Sequence, residues 1–302
     1  MGKQPTRIPS SAALLAAASL AAAAGVFAAA APGIRHPPTR AEQWHEIAAG
    51  VAAMPRTQAR AGDVWFVGFA SYGEQRVFRK EAELARRVFS ARYDAGSRSL
   101  LLVNDVNDRR SYPLATYDNL RYAVRQIAKR MDLARDTLVL VLTSHGNDTD
   151  GIAITNGRLP EDALSPRDVR KILDESHIRW RVVVVSACYS GIFIPALKSD
   201  TTLVMTAADA RHSSFGCDDT RDLTWFGEAL LKDAMPHACS LDDAYRDMAA
   251  IIDRRETDAG EIHSNPRLFE GARMRDKLRE IDAADGRACA AVRPPQGPPQ
   301  GR

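Results

Sequence analysis

Five short apolar runs, separated by stretches of helical periodicity, constrain this chain more than anything else in it. They are Asp63–Ala70, Ser99–Val103, Thr137–Thr143, Arg181–Ala187 and Leu203–Ala207. A strand with one face in water alternates apolar with polar residues. TLVLVLT and RVVVVSA do not alternate, so both of their faces must be covered. Between the runs, Val77–Phe89 sets Val77, Leu84, Val88 and Phe89 at helical spacing. Thr116 caps a helix to Arg130 whose stripe is Leu120, Val124 and Ile127. Ser165-Pro166-Arg167-Asp168 supplies a cap, a proline at the first helical position and an acid at the third, opening a helix to Glu175. Trp225–Ala234 and Ser240–Arg254 also read as helices. This alternation predicts an α/β fold, with a mostly parallel central sheet and helices on both faces. In such sheets, chemistry gathers beyond the C-terminal ends of the strands.

The ends of the chain read differently. Lys3 and Arg7 are the only charges before Arg35, and Ser11–Ala31 between them holds 13 alanines with Leu14, Leu15, Leu20, Val26 and Phe27. A basic head, an apolar stretch and Ala28-x-Ala30 fit a secretory signal, or a membrane anchor if uncleaved; weakly apolar alanine favours cleavage. The protein is therefore expected outside the cytoplasm: periplasmic or secreted, or tethered to the inner membrane if the segment is retained. The expected organisation is residues 1–31 as signal or anchor and 32–60 as a linker with a short helix near Trp44–Ala53. The compact domain then spans 61–285, and 286–302 is a disordered, proline-rich tail.

The remaining composition excludes several classes. Hydrophobic residues at 45% and charged residues at 26% are ordinary for a globular domain. With 41 Lys and Arg against 38 Asp and Glu, a net charge of +3, there is no basic excess for a dedicated nucleic-acid binder. Four cysteines are too few for a disulfide scaffold.

Two of the strands end in reactive side chains. The third continues into Ser144-His145-Gly146, the fourth into Ser186-Ala187-Cys188-Tyr189-Ser190-Gly191. Neighbouring parallel strands lie about 4.8 Å apart, so His145 and Cys188 would emerge side by side on one edge. A thiolate is a strong nucleophile, and an imidazole can protonate a leaving amine near neutral pH. The N–H groups of Gly146 and Cys188 could together form an oxyanion hole. A lone cysteine is usually an inert small hydrophobe and a lone histidine usually structural, but paired strand ends are more specific. A metal site is the weaker rival: Cys217 and His212 could be recruited, yet no CxxC or HxxxH spacing exists. No metal and no cofactor are expected.

An apolar strand ending in Ser-His-Gly, then one ending in Ala-Cys, resembles the caspase–legumain–gingipain clan of cysteine peptidases. Thr206-Ala207-Ala208-Asp209-Ala210-Arg211-His212-Ser213-Ser214-Phe215-Gly216-Cys217, followed by Leu223-Thr224-Trp225-Phe226-Gly227-Glu228, is similar to the legumain family, peptidase family C13, and to its bacterial members. The same family includes the catalytic subunit of the glycosylphosphatidylinositol transamidase. The resemblance covers about residues 63–235 and implies a caspase-like fold. It implies Cys188 as nucleophile, His145 as general acid–base, and Gly146 and Cys188 as oxyanion donors. Legumains cut after asparagine and, at acid pH, aspartate. Their pocket positions match Arg79, Ser213 and Glu228 here, where an arginine and a carboxylate would read the two ends of a carboxamide.

There are departures. Legumains carry an acid directly before Ala-Cys, where this chain has Ser186, which is expected to take that substrate-binding position. Glu228 stands for an aspartate. The asparagine that orients the legumain histidine has no match, since the loop Ala70–Gly73 offers only Ser71. The chain after Arg254 is shorter than a legumain prodomain.

With Cys188 free, one pair among Cys217, Cys239 and Cys289 is expected to bridge in an oxidising compartment, Cys217 with Cys239 being the expected pair. There, a nucleophilic Cys188 needs to be recessed or locally protected. The expected partner is a peptide or protein, the expected activity that of an endopeptidase. A transamidase using the same acyl-enzyme, and a non-catalytic binding domain of the same fold, are the alternatives. The sequence leaves the oligomeric state open.

Overall fold

A computed structural model of the chain describes residues 1–2, 38–57, 59, 61–108, 110–157, 162–218 and 220–284. In chain order the elements are α1 Arg40–Ala53, β1 Val64–Ala70, α2 Arg76–Tyr93, β2 Ser99–Val103, α3 Tyr117–Ala128, β3 Thr137–Thr143, β4 Gly146–Asn147, β5 Gly151–Ile154 and β6 Asp162–Leu164. They continue with α4 Pro166–Glu175, β7 Trp180–Ser186, α5 Phe193–Leu197, β8 Thr202–Thr206, α6 Trp225–Gly227, α7 Leu241–Ala259, β9 Arg267–Glu270 and α8 Ala272–Ala284. All five apolar runs are strands, each within one residue of its expected bounds. The segment read as signal or anchor lies, beyond residues 1–2, outside the described residues, as does the tail 286–302. Among the described residues no helix is long and apolar enough to cross a membrane.

The main sheet has the order β2-β1-β3-β7-β8-β9. Its first five strands are parallel, and β9 closes the edge antiparallel to β8. Successive side chains of a strand point to opposite faces, and the core divides accordingly. Phe66, Val139, Val141, Val182 and Val184 pack on one face, under α2, α7 and α8. Trp65, Val67, Phe69, Leu138, Leu140, Leu142, Val183 and Val185 pack on the other, under α1, α3 and α4. Each fully buried large apolar side chain contributes roughly 1.5–3 kcal/mol. This explains why the central strands carry no polar alternation.

The helix starts follow local chemistry. Thr116 accepts from the Asn119 N–H, and Ser165 with Asp168 forms a reciprocal capping box with Pro166 inside it. Ser240 caps α7, which Gly260 ends in the left-handed conformation (φ 70°). The expected helix Trp225–Ala234 is α-helical only through Gly227 and continues as a π-helix over Glu228–Ala234. Helix α1 covers the stretch expected as a linker with a short helix; its Ile47 and Val51 are buried beside Leu120 and Val124 of α3.

Three features lie beyond the sequence reading: the edge strand β9, helix α8, and a second sheet of order β4-β5-β6, antiparallel throughout. These strands are two to four residues long, too short to show a period.

Candidate active site

Strands β3 and β7 are paired in register, Thr143 opposite Ser186. His145 and Cys188 therefore each stand two residues beyond one matched pair. The Ser144 N–H donates to the Ser186 carbonyl at 3.2 Å and holds the two chain ends together past the ladder.

After His145 the chain enters β4. The Ala153 N–H donates to the His145 carbonyl at 2.9 Å, so the alternation of an antiparallel ladder aims the Gly146 N–H away from β5. A Cβ on Gly146 would lie 2.5 Å from the Cys188 carbonyl oxygen and 3.1 Å from the Ala187 Cβ. Only glycine allows this close approach of the two backbones.

After Cys188 the chain turns sharply. Tyr189 takes φ 56°, a left-handed conformation costing a non-glycine residue about 1–2 kcal/mol. Its N–H is held by the His212 carbonyl at 2.9 Å. The Ser190 hydroxyl accepts the Ala208 N–H at 3.0 Å, and Gly191 leaves no room for a Cβ beside the Ala210 nitrogen. The Cys188 turn is thereby fastened to the loop that follows β8.

Cys188 is half-buried in that loop. Its sulfur accepts the Ser214 N–H at 3.3 Å and lies 3.4 Å from the Ser214 carbonyl. The Cys217 thiol, the Ser214 N–H and the Ser214 and Ser213 hydroxyls hold the Cys188 pKa down to about 5, against the opposing effect of burial. Cys217 is a free thiol, so the expected Cys217–Cys239 bridge is not made; Cys239 is disulfide-bonded elsewhere. The physical reason is placement: the loop carries Cys217 toward Cys188. His212 bonds Asp209 at 2.8 Å, and among the described residues no cluster of His, Cys, Asp and Glu could hold a metal ion.

His145 lies between Tyr72 and Phe78, both edge-on to its ring, with centroids 4.5 and 5.0 Å away. Burial lowers its pKa below the ordinary 6.5, and the charge of Cys188 opposes the shift. The Gln75 side-chain oxygen stands 2.5 Å from His145 Nε2. An acceptor there fixes the neutral ring as the Nε2–H tautomer and leaves Nδ1 for proton exchange. Ser71 takes no part, because its hydroxyl donates to the Ala153 carbonyl. Gln75 is the orienting contact that sequence reasoning missed. It stands at the N-cap of α2 and makes no capping bond, so no local pattern marks it.

The residues expected to line the pocket lie in four settings. Ser213 stands beside Cys188, its hydroxyl helping to lower the pKa of that thiol. Arg79 Nη1 bonds Asp105 at 2.8 Å and Asp108 at 2.9 Å, and Nε bonds Glu83 at 3.0 Å. That leaves Nη2 without a bond among the described residues. Glu228 is held by Arg221 at 2.9 Å, Arg255 at 3.4 Å and Lys232 at 3.3 Å. Ser186 is buried, two residues before Cys188, its hydroxyl 3.3 Å from that of Thr224. Thr224 in turn bonds the buried Glu81 at 2.5 Å. A cleft of about 460 Å³ is lined by His145, Tyr72, Gly146, Asp150, Thr155 and Asp162.

Residues 123–266 match the model of the Peptidase C13 family. The matched stretch includes His145, Gly146, Ser186, Cys188, Ser213, Cys217 and Glu228, whereas Gln75 and Arg79 precede it. No curated protein matches the chain. Among solved structures, caspase-1 from Spodoptera frugiperda is similar at 13% identity and a TM-score of 0.48, covering 78% of this chain and 93% of that one. Over residues 123–266, just under half of its length, the chain is therefore similar to the Peptidase C13 family.

Proposed function

We propose that the protein is an exported cysteine endopeptidase of the legumain type, cutting peptide bonds after asparagine and, when protonated, aspartate. The observation that carries this reading is the register of β3 and β7, which sets His145 and Cys188 at adjacent strand ends. The Cys188 thiolate attacks the scissile carbonyl, and the oxyanion is met by the N–H groups of Gly146 and Cys188. The tetrahedral species collapses, the C–N bond breaks, and protonated His145 gives its proton to the leaving amine. Water, deprotonated by the now neutral His145, then hydrolyses the thioester and frees Cys188. Gln75 keeps the ring turned for both transfers.

Recognition of the residue before the cut falls to Arg79 and Ser213, with Glu228 at the margin. Glu83, Asp105 and Asp108 more than neutralise Arg79. A neutral carboxamide or protonated acid suits this setting, its carbonyl taking the open Nη2 of Arg79. Export through residues 1–31, with tethering where that segment is retained, belongs to the same reading.

The test is a peptide library digested by residues 36–302 and by Cys188→Ala, read by mass spectrometry with and without an added amine. Cuts after Asn and Asp that vanish in Cys188→Ala support the proposal. Amine-capped products assign a transamidase, and cuts without preference at that residue remove Arg79 and Ser213 from recognition.

A further inference from the structure

The proposed mechanism uses one of two free thiols at the site; Cys217 is the other. It sits on the loop that wraps Cys188, three residues after Ser214, whose N–H meets the Cys188 sulfur at 3.3 Å. Gly216, with φ 79°, folds the chain back at that point. A Cβ on Gly216 would lie 2.4 Å from Cδ1 of Trp225, and the Trp225 N–H holds the Phe215 carbonyl at 3.0 Å. The turn is locked against Trp225, and it sets Cys217 beside Cys188, each thiol shifting the other's pKa, Cys188 downward and Cys217 upward. Both residues are only partly buried, so a small solute reaches them.

We infer that Cys188 and Cys217 form a reversible disulfide when the protein meets a hydroperoxide, with Cys188 oxidised first and Cys217 resolving it. This rests on the reading of Cys188 as a thiolate nucleophile. The thiolate attacks the terminal peroxide oxygen; the O–O bond breaks, hydroxide leaves, and Cys188 becomes a sulfenic acid. The Cys217 sulfur then attacks the Cys188 sulfur; the S–O bond breaks, and the Cys217 proton leaves with the hydroxyl as water. In sum, two thiols and one hydrogen peroxide give one disulfide and two waters. The interaction with the Cys188 side chain, burial and the Cys188 charge together keep Cys217 protonated, so peroxide selects Cys188. Once Cys188 is a neutral sulfenic acid its charge no longer opposes ionisation of Cys217, and Cys217 can attack. The bridge removes the nucleophile reversibly and shields it from the irreversible sulfinic acid. It supplies the local protection that an exported thiol enzyme needs.

The test exposes the full protein to graded hydrogen peroxide, blocks free thiols with N-ethylmaleimide and maps peptides without reduction. The expected result is a link between the tryptic peptides holding Cys188 and Cys217, distinct from the bridge of Cys239. Activity should fall at least about tenfold as the link forms and return with dithiothreitol. In Cys217→Ser and Cys217→Ala, dimedone should trap the sulfenic acid, and excess peroxide should give a sulfinic acid that reductant does not rescue. Sulfinic acid forming on Cys188 equally fast in wild type and both variants, with no linked peptide, would overturn the inference. The map needs no turnover. A link formed in a protein that cuts no peptide would fault the peptidase reading alone, and an active enzyme without the link would fault the redox pair alone.

Discussion

The Gln75 side-chain oxygen lies 2.5 Å from His145 Nε2, and this contact decides which ring nitrogen faces the reaction. Gln75→Ala should lower kcat/KM on the order of 10²-fold, the scale of losing orientation at a reacting group, with little change in melting temperature. Gln75→Glu keeps the acceptor and adds a negative charge, so it should raise the His145 pKa and move the alkaline limb of the pH profile upward. An unshifted limb in Gln75→Glu would show that the contact does not act through the imidazole.

The pH dependence follows from the two reacting groups. Cys188 is held down to about 5, chiefly by the Cys217 thiol, while burial sets His145 below 6.5. Attack needs a thiolate, and amine release needs an imidazolium. Activity should therefore rise as Cys188 ionises near pH 5 and fall before pH 6.5, a narrow bell in the mildly acidic range. The measurement is kcat/KM on a fluorogenic peptide from about pH 4 to about pH 8. A plateau extending above neutrality would contradict the lowered His145.

The backbone approach at Gly146 is a further sensitive point. A methyl group there would meet the Cys188 carbonyl at 2.5 Å and push the two strand ends apart. Gly146→Ala should cost on the order of 10²-fold in kcat, as expected for a displaced oxyanion donor. A substrate KM that rises while kcat holds would place Gly146 in binding instead.

Glu81 links helix α2 to both reactive strands. It is fully buried, and burial raises its carboxyl pKa above 4.5 among the hydroxyls of Ser186, Thr224 and Thr143. Gly227 makes room for it, since a Cβ there would lie 2.0 Å from Glu81 Oε2. Because the folded pKa is raised, the stabilisation is complete below about pH 4.5 and is lost as pH rises through the folded value. Glu81→Gln cannot ionise, so its melting temperature should decline less between about pH 4.5 and pH 8 than that of the wild type. Glu81→Ala should lose roughly 2–4 kcal/mol at any pH from the cavity and orphaned hydroxyls. Equal slopes for wild type and Glu81→Gln would mean that Glu81 does not titrate with folding.

The legibility of the chain follows the range of the forces involved. TLVLVLT and RVVVVSA announce buried parallel strands because a two-sided core leaves no polar position. Ser165-Pro166-Arg167-Asp168 announces a helix because a cap is a local device. His145 and Cys188 are legible as ends of such strands. Gln75 is not, because its partner is 70 residues away and its own helix start is ordinary. Strand β9 is likewise hidden: RLFE is only four residues, recruited by the free edge of β8. The pairing expected between Cys217 and Cys239 fails for the same reason, since the Gly216 turn that carries Cys217 to the nucleophile depends on Trp225.

The most direct measurement is the intact mass of the protein after acid quench from a mixture with a cleavable Asn-containing peptide. The account predicts a transient adduct equal to the N-terminal fragment of that peptide, attached at Cys188, released by hydroxylamine as a thioester is, and absent in Cys188→Ala. Peptide turnover that continues in Cys188→Ala, with no adduct in the wild type, would contradict it.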